Sequence, residues 1–310
     1  METEEVYGKR GKRRMDFVRK ALRTSGIAFS EGEALAKHSS FRIGKDASLA
    51  VFPKTEEEFR KALALTAEKD PIVVGRGSNL VFPDKTLDRP VIFTEGLRRV
   101  TVDGTMIHAE AGLPLTALCK TACDASLAGL AFAYGIPGSV GGGIYMNAGA
   151  YGGEIGSLCS SIRCYDRKEK TTKTIAGHEC AFSYRHSIFS ERRDLVILSA
   201  AFALTPGDKN AIASEMREYL ERRKSTQPLE YPSAGSVFKR PAGAYAGRLI
   251  EECGLKGTSV GGASVSEKHA GFIVNRGNAT ASDVKALVEK IQRTVLEQTG
   301  FSLECEIEFL

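Results

Sequence analysis

The chain has 310 residues, 42% of them hydrophobic and 26% charged, with a formal net charge of +5. That length supports two or three domains, and the longest apolar run, residues 195–204, falls far short of the ~20 residues a membrane helix needs. The basic excess is small and partly local to residues 1–14, where five Lys/Arg face three Glu, so neither nucleic acid nor a membrane is expected as a partner.

No charged-then-apolar leader opens the chain. The 7 cysteines are odd in number and none forms a Cys-x-x-Cys pair. Reduced thiols, a cytoplasmic location and no metal site are the expectation. Residues 1–37 are taken as a solvated basic tail leading into a helix. Thr55 with Glu58 three residues on has the form of a capping box opening a helix. Ile72-Val73-Val74 then forms a strand feeding Gly75-Arg76-Gly77-Ser78-Asn79. Strands follow at 91–94, 98–102 and 105–110, a helix at 114–125, and strands at 161–166 and 195–204. From Pro206 the pattern changes. An amphipathic helix covers 208–224 with Ile212, Met216 and Leu220 inward. A Pro/Gly-punctuated loop spans 227–243, and a short helix 244–253. Strands at 258–261 and 271–275, a long helix at 282–298 and an alternating strand at 303–310 complete an α+β chain. The expected division is 38–205, split near 95, and 206–310.

Chemistry concentrates in two glycine loops. The first follows a strand, where backbone N–H groups can cradle phosphate. It is not a Rossmann fingerprint, because Leu80 stands where the third glycine belongs and Pro83 and Pro90 interrupt any helix. The second runs from Gly135 to Gly153 and holds 8 glycines in 19 residues. Such density costs backbone entropy, so it marks close approach of backbone to a ligand or positive φ. A diphosphate bridging the two loops is the natural occupant, with Ser139 and Asn147 adding side-chain hydrogen bonds.

The run Ala133-Tyr134-Gly135-Ile136-Pro137-Gly138-Ser139-Val140-Gly141-Gly142, with Met146-Asn147-Ala148-Gly149-Ala150-Tyr151-Gly152, closely resembles the UDP-N-acetylenolpyruvoylglucosamine reductases. The likeness extends from His38-Ser39-Ser40-Phe41 to the C-terminus. Its substrate loop, Tyr231-Pro232-Ser233-Ala234-Gly235-Ser236-Val237-Phe238-Lys239-Arg240-Pro241, is similar to the shorter second type. The resemblance implies a two-part FAD-binding domain of the vanillyl-alcohol oxidase/p-cresol methylhydroxylase type plus a C-terminal α+β substrate domain. It implies noncovalent FAD, NADPH as reductant, a UDP-sugar substrate in peptidoglycan precursor synthesis, and a monomer. FAD contacts are expected from Gly75, Arg76, Gly77, Ser78, Asn79 and Leu80. The second loop adds Gly135, Ile136, Pro137, Gly138, Ser139, Gly142, Gly143, Asn147 and Ala148.

Three residues match the family's catalytic motifs. Arg185, in Tyr184-Arg185-His186-Ser187, would meet the substrate carboxylate, a task suited to a permanently charged planar guanidinium. Ser236 matches the proton donor. Glu304, Glu306 and Glu308 share one face of a strand, and only the family register selects Glu306. The tail departs from that register afterwards: Glu308 stands where the pattern has a basic residue, and the chain ends in Leu310 rather than glycine. Tyr184, Gly235, Lys239, Arg240 and His269 are the expected substrate contacts. The rival enzyme reading is a flavin oxidase of the same superfamily acting on another sugar or alcohol. A flavin-binding scaffold without catalysis is the rival from outside enzymes.

Overall fold

The computed structural model describes residues 15–310, so the basic tail lies outside the described residues. Residues 15–24 are helical, and Val18, Leu22 and Ile27 are buried in one cluster with Phe59, Leu63, Val51 and Ile92. The segment ahead of His38 is thus part of the first lobe's core, not an appendage to it. The lobe's sheet runs in the order Ala28–Ser30, Ala50–Phe52, Val91–Phe93, Ile72–Val74, and its last three strands are parallel. Thr55 caps the crossover helix Glu56–Thr66 by accepting from the Glu58 N–H. The Glu58 carboxylate reaches back to the Lys54 N–H at 2.7 Å. In such a sheet ligands collect beyond the carboxyl ends of the strands, where Gly75 and Thr94 stand side by side.

The second lobe is a five-stranded antiparallel sheet, ordered Thr171–Ala176, Cys159–Asp166, Leu195–Ala203, Met106–Glu110, Val100–Asp103. Helix Leu115–Asp124 and the six-residue helix Val140–Tyr145 bury Leu115, Leu118, Val140 and Ile144 in the same core as Ile107, Ile162 and Phe202. The glycine-dense block therefore contains a helix that its composition disfavours. It forms because Ser139 caps it and packing covers Val140 and Ile144. Helix Lys209–Thr226 joins this lobe, because Ile212 and Met216 enter the same core. That moves the change of body from the expected 205 to the end of this helix.

The remaining body is a four-stranded antiparallel sheet, Ser233–Ser236, Phe272–Asn275, Ala263–Val265, Ser259–Val260. Helices Ala246–Glu252 and Ala281–Thr299 contribute Leu249, Ile250, Val284, Leu287 and Ile291 to its core. Phe41, Ile43 and Val81 come from the first half of the chain yet lie in this core. The Asp84 carboxylate accepts from the N–H groups of Ala281 and Ser282 at 2.7 and 2.9 Å, at the start of the last helix. These contacts hold the body against the first lobe. The terminal segment is mostly irregular, and only Glu308–Phe309 forms a strand, parallel to Leu80–Val81. Glu304 and Glu306 flank a single antiparallel bridge between Cys305 and Phe238, and a bend at Ile307 sets Glu308 apart from them.

Candidate active site

A cavity of about 400 Å³ opens between the two lobes. Its wall includes Gly75 through Leu80 from the first loop and Ile136, Gly138, Ser139, Gly142, Gly143 and Ala148 from the second. Gly75 has no room for a side chain, since a Cβ would stand 2.5 Å from Ser139 Oγ. Gly77 has φ +57°, and a Cβ there would collide with the His38 carbonyl.

The two loops divide the work unequally. From Gly75 to Asn79 no N–H donates to another backbone group among the described residues. In the second loop the amides from Val140 on are already used: Val140 donates to Leu113 O, Gly141 to Ala111 O, and Gly142 to Ser139 Oγ. Those of the cavity-lining Gly138 and Ser139 donate to no backbone group among the described residues. The first loop can therefore hold phosphate through a run of amides, while the second supplies a close-fitting wall and the amides of Gly138 and Ser139. Gly135 and Pro137 stand off the cavity; a Cβ at Gly135 would stand 2.9 Å from the Arg223 side chain. Asn147 is buried and bonded within the protein. Its Nδ2 donates to Glu154 Oε2 and to Ser183 O, and its Oδ1 accepts from the Gly156 N–H. With both of its side-chain N–H donors spent inside the protein, it ties the glycine block to the turn that carries Arg185.

The chemistry of the wall fits FAD. Thr94 lines the cavity and is 4% exposed, yet its hydroxyl has no partner. A buried hydroxyl left unpaired is costly, and this one lies 4.0 Å from the point a Gly75 Cβ would occupy. Arg76 makes no ion pair among the described residues, whereas Arg89 and Arg167 are engaged by Asp70 at 2.6 and 2.8 Å. A free cation and a run of free amides suit a diphosphate. The apolar wall of Val73, Leu115, Val196 and Ile197 suits the ring systems. Sequence reasoning missed Thr94 and Arg193, because parallel pairing and long-range packing bring them in and no local pattern marks them, and it passed over Tyr145 although that residue lies within the glycine block.

The three catalytic candidates gather beside the cavity, not in its wall. Arg185 sits in a tight turn closed by reciprocal bonds between Ser183 and His186. Its φ is +55°, a left-handed conformation that costs a non-glycine residue roughly 1 kcal/mol or more. The guanidinium bonds Glu306 Oε1 through Nε at 2.6 Å and Gly149 O through NH2 at 3.2 Å. Asn79 of the first loop donates to Glu306 O at 2.9 Å. Both glycine blocks thus grip the ion pair. Burial raises the affinity of the Glu306 carboxyl for its proton, and Arg185 and then Lys239 only partly offset this.

Ser236 ends a strand whose register breaks between Ser233 and Ser236, with Gly235 at φ +82°. Such a bulge re-aims the next side chain. The Glu306 N–H donates to Val237 O at 2.8 Å, so Ser236 and Glu306 lie on neighbouring stretches of backbone. Outward from them, Tyr184 lies under the Arg185 guanidinium and accepts from the Arg240 N–H at 3.2 Å. Arg240 covers the exposed Tyr245 ring and makes no ion pair among the described residues, while Lys239 is paired with Glu304. His269 is turned inward: its Nδ1 accepts from the Gly271 N–H at 3.1 Å, and burial pushes its pKa down. It is a neutral ring braced on Phe272 and not the cation expected for a diphosphate.

A flavin-sized cavity with a phosphate loop at one side and a buried Arg–Glu pair beside it defines an FAD-dependent oxidoreductase. Residues 47–174 match the model of an FAD binding domain, and residues 227–310 that of the UDP-N-acetylenolpyruvoylglucosamine reductase C-terminal domain. The chain is 43% identical over 293 residues to the UDP-N-acetylenolpyruvoylglucosamine reductase of Caldicellulosiruptor bescii, covering 93% of both chains. With that of Pseudothermotoga lettingae it shares 47% over 277 residues, covering 89% of this chain and 95% of the relative. The crystal structure of the Thermus caldophilus reductase superposes with a TM-score of 0.77 at 31% identity, over 91% of this chain and 98% of that one. The chain belongs to the UDP-N-acetylenolpyruvoylglucosamine reductase family.

Proposed function

We propose that Arg185, Ser236 and Glu306 carry the reaction of this reductase, the NADPH-dependent reduction of the enolpyruvyl group of UDP-N-acetylglucosamine-enolpyruvate to UDP-N-acetylmuramate in the cytoplasm. FAD, when bound, supplies the hydride chemistry that links NADPH to the substrate. Arg76, Thr94, Ser139 and the amides from Gly75 to Asn79 would hold it. Hydride arriving at the methylene carbon drives charge onto the neighbouring carbon and its carboxylate. Arg185 is the cation that meets this charge. Glu306 fixes the guanidinium in one orientation, so the site needs little rearrangement as charge develops. Ser236 delivers the proton to the neighbouring carbon, and its hydroxyl is replenished from solvent. Arg240, free of carboxylates and next to Tyr184, meets the diphosphate of the sugar nucleotide.

The observation that carries this reading is the 2.6 Å Arg185–Glu306 pair, gripped by Asn79 and Gly149 and backed by the Ser236 strand. Stopped-flow spectroscopy tests it. The flavin-loaded protein is bleached anaerobically with NADPH and mixed with UDP-N-acetylglucosamine-enolpyruvate. Prompt return of the flavin band is expected. Bleaching without return would leave a flavoprotein with another substrate, and a protein that takes up no FAD would overturn the whole reading.

A further inference from the structure

Among the described residues that line the cavity only Asp70 and Glu308 carry side-chain carboxylates. Asp70 is fully engaged, bonded by Arg89 on one oxygen and by Arg167 on the other. Glu308 is different. Its ion pair is long, 3.5 Å from Arg193 NH2, the Tyr145 phenol is its other polar neighbour, and its side chain keeps 32% of its surface open. The phenol of Tyr145 completes the group. Burial pushes its pKa up to about 12, with the negative charge of Glu308 adding to the push and Arg193 opposing it. All three side chains face the cavity wall, and the catalytic trio uses none of them.

The backbone fixes where this carboxylate stands. The Glu308 N–H donates to Asn79 O at 2.9 Å, and Glu308 pairs with Leu80 in parallel register. Glu308 is therefore one residue from the end of the phosphate-holding amides. An anion beside a phosphate site repels the ligand unless it is neutralised and faces donors. Arg193 provides the first condition. The donors of a dinucleotide next to its diphosphate are sugar hydroxyls, and accepting them is what carboxylates do at dinucleotide sites. A basic residue at this position, as in the family pattern, could not accept such a bond.

We propose that Glu308, steadied by Arg193 and flanked by Tyr145, accepts hydrogen bonds from sugar hydroxyls of the bound FAD and sets its affinity in this chain. The inference rests on the flavin reading of the cavity. The hydroxyls belong either to the ribityl chain or to the adenosine ribose, and the test separates the two.

Purified protein is stripped of flavin and titrated calorimetrically with FAD and with two analogues, one lacking a ribityl hydroxyl and one lacking a ribose hydroxyl. The titrations are repeated with Glu308→Gln, which keeps the shape and removes the charge. A hydrogen bond to a charged group corresponds to roughly a tenfold or greater change in affinity. The wild type should bind FAD about tenfold more tightly than Glu308→Gln does. It should lose about the same factor with one of the analogues, for which wild type and variant should then be equal. Equal affinity of wild type and variant for FAD overturns the proposal. So does a loss in the variant that persists with both analogues, since that is a structural effect. Should the variant not fold, a wild type that binds both analogues as tightly as FAD overturns it alone. A wild type that binds no FAD would instead sink the flavin reading itself.

Discussion

Replacing Arg185 by methionine tests whether the Arg185–Glu306 pair is electrostatic at heart. The two side chains are 17% and 9% exposed and meet at 2.6 Å. With charge centres about 4 Å apart and an effective dielectric of ~20, their attraction is about 4 kcal/mol. Removing one partner of such a pair costs about 3–5 kcal/mol, because the other charge stays buried and uncompensated. The pH dependence gives the sharper check. Burial raises the Glu306 pKa above the ordinary carboxylate value, against the partial offset from Arg185. The protonated form is therefore favoured by folding. Its contribution to stability is fully present below the unfolded value and is lost as pH rises through the folded one. Without Arg185 that loss is steeper. Urea unfolding of Arg185→Met and wild type across the acidic to neutral range should show the full deficit near neutrality. The gap should narrow as Glu306 takes up its proton, to the ~1 kcal/mol of the lost bond to Gly149 O. A deficit that does not change with pH would refute the reasoning and leave Arg185 as a packing residue.

Ser236→Ala should leave flavin bleaching by NADPH intact while slowing reoxidation by the enolpyruvate by about 10²–10⁴-fold; equal slowing of both in stopped flow would mean that Ser236 positions the flavin. Gly77→Ala, which combines φ +57° with a collision at the His38 carbonyl, should retain the far-UV circular dichroism of the wild type yet lose the flavin absorbance band. Asn147→Ala removes three internal bonds and should cost about 3 kcal/mol in urea unfolding of the flavin-free protein. Asp84→Ala should lower stability by about 1 kcal/mol near neutrality, the usual worth of a helix cap. Burial opposes ionisation of Asp84, but the bonds from Ser282 and Ala281 outweigh it and its pKa is lowered. Its contribution is present above the ordinary carboxylate value and fades as pH falls through the folded one, so the variant's acid limb should be shallower.

How much of this was legible depends on whether a residue's role is local. Gly75 and Gly77 left a trace in composition because the chain passes where no side chain fits, and such positions show without any fold. The helix at Glu56–Thr66 was readable from Thr55 and Glu58, which make the cap themselves. Arg185 was legible only through resemblance, since nothing in Tyr-Arg-His-Ser announces a left-handed turn. Asn147 was ambiguous, because an amide side chain in a glycine block suits a ligand and an internal bond equally well, and here it makes internal bonds. The boundary at 205 misled because the apolar face of Ile212 and Met216 shows that the helix packs, but not on which core. The alternation of Glu304, Glu306 and Glu308 read as a strand, yet pairing with Leu80–Val81 begins only at Glu308.

Glu308 and Leu310 stand in the cavity wall, far in sequence from the glycine loops they face, and the Leu310 N–H donates to Val81 O. In a chain made from its N-terminus onward, both glycine loops leave the ribosome long before these residues do. Phe41, Ile43 and Val81 likewise wait for a core made largely by residues after 233. The cavity wall is thereby complete only when segments far apart in sequence have met. A folding intermediate in which the body after residue 233 has not docked holds the phosphate loop but lacks part of the cavity wall, so flavin absorbance should report that docking.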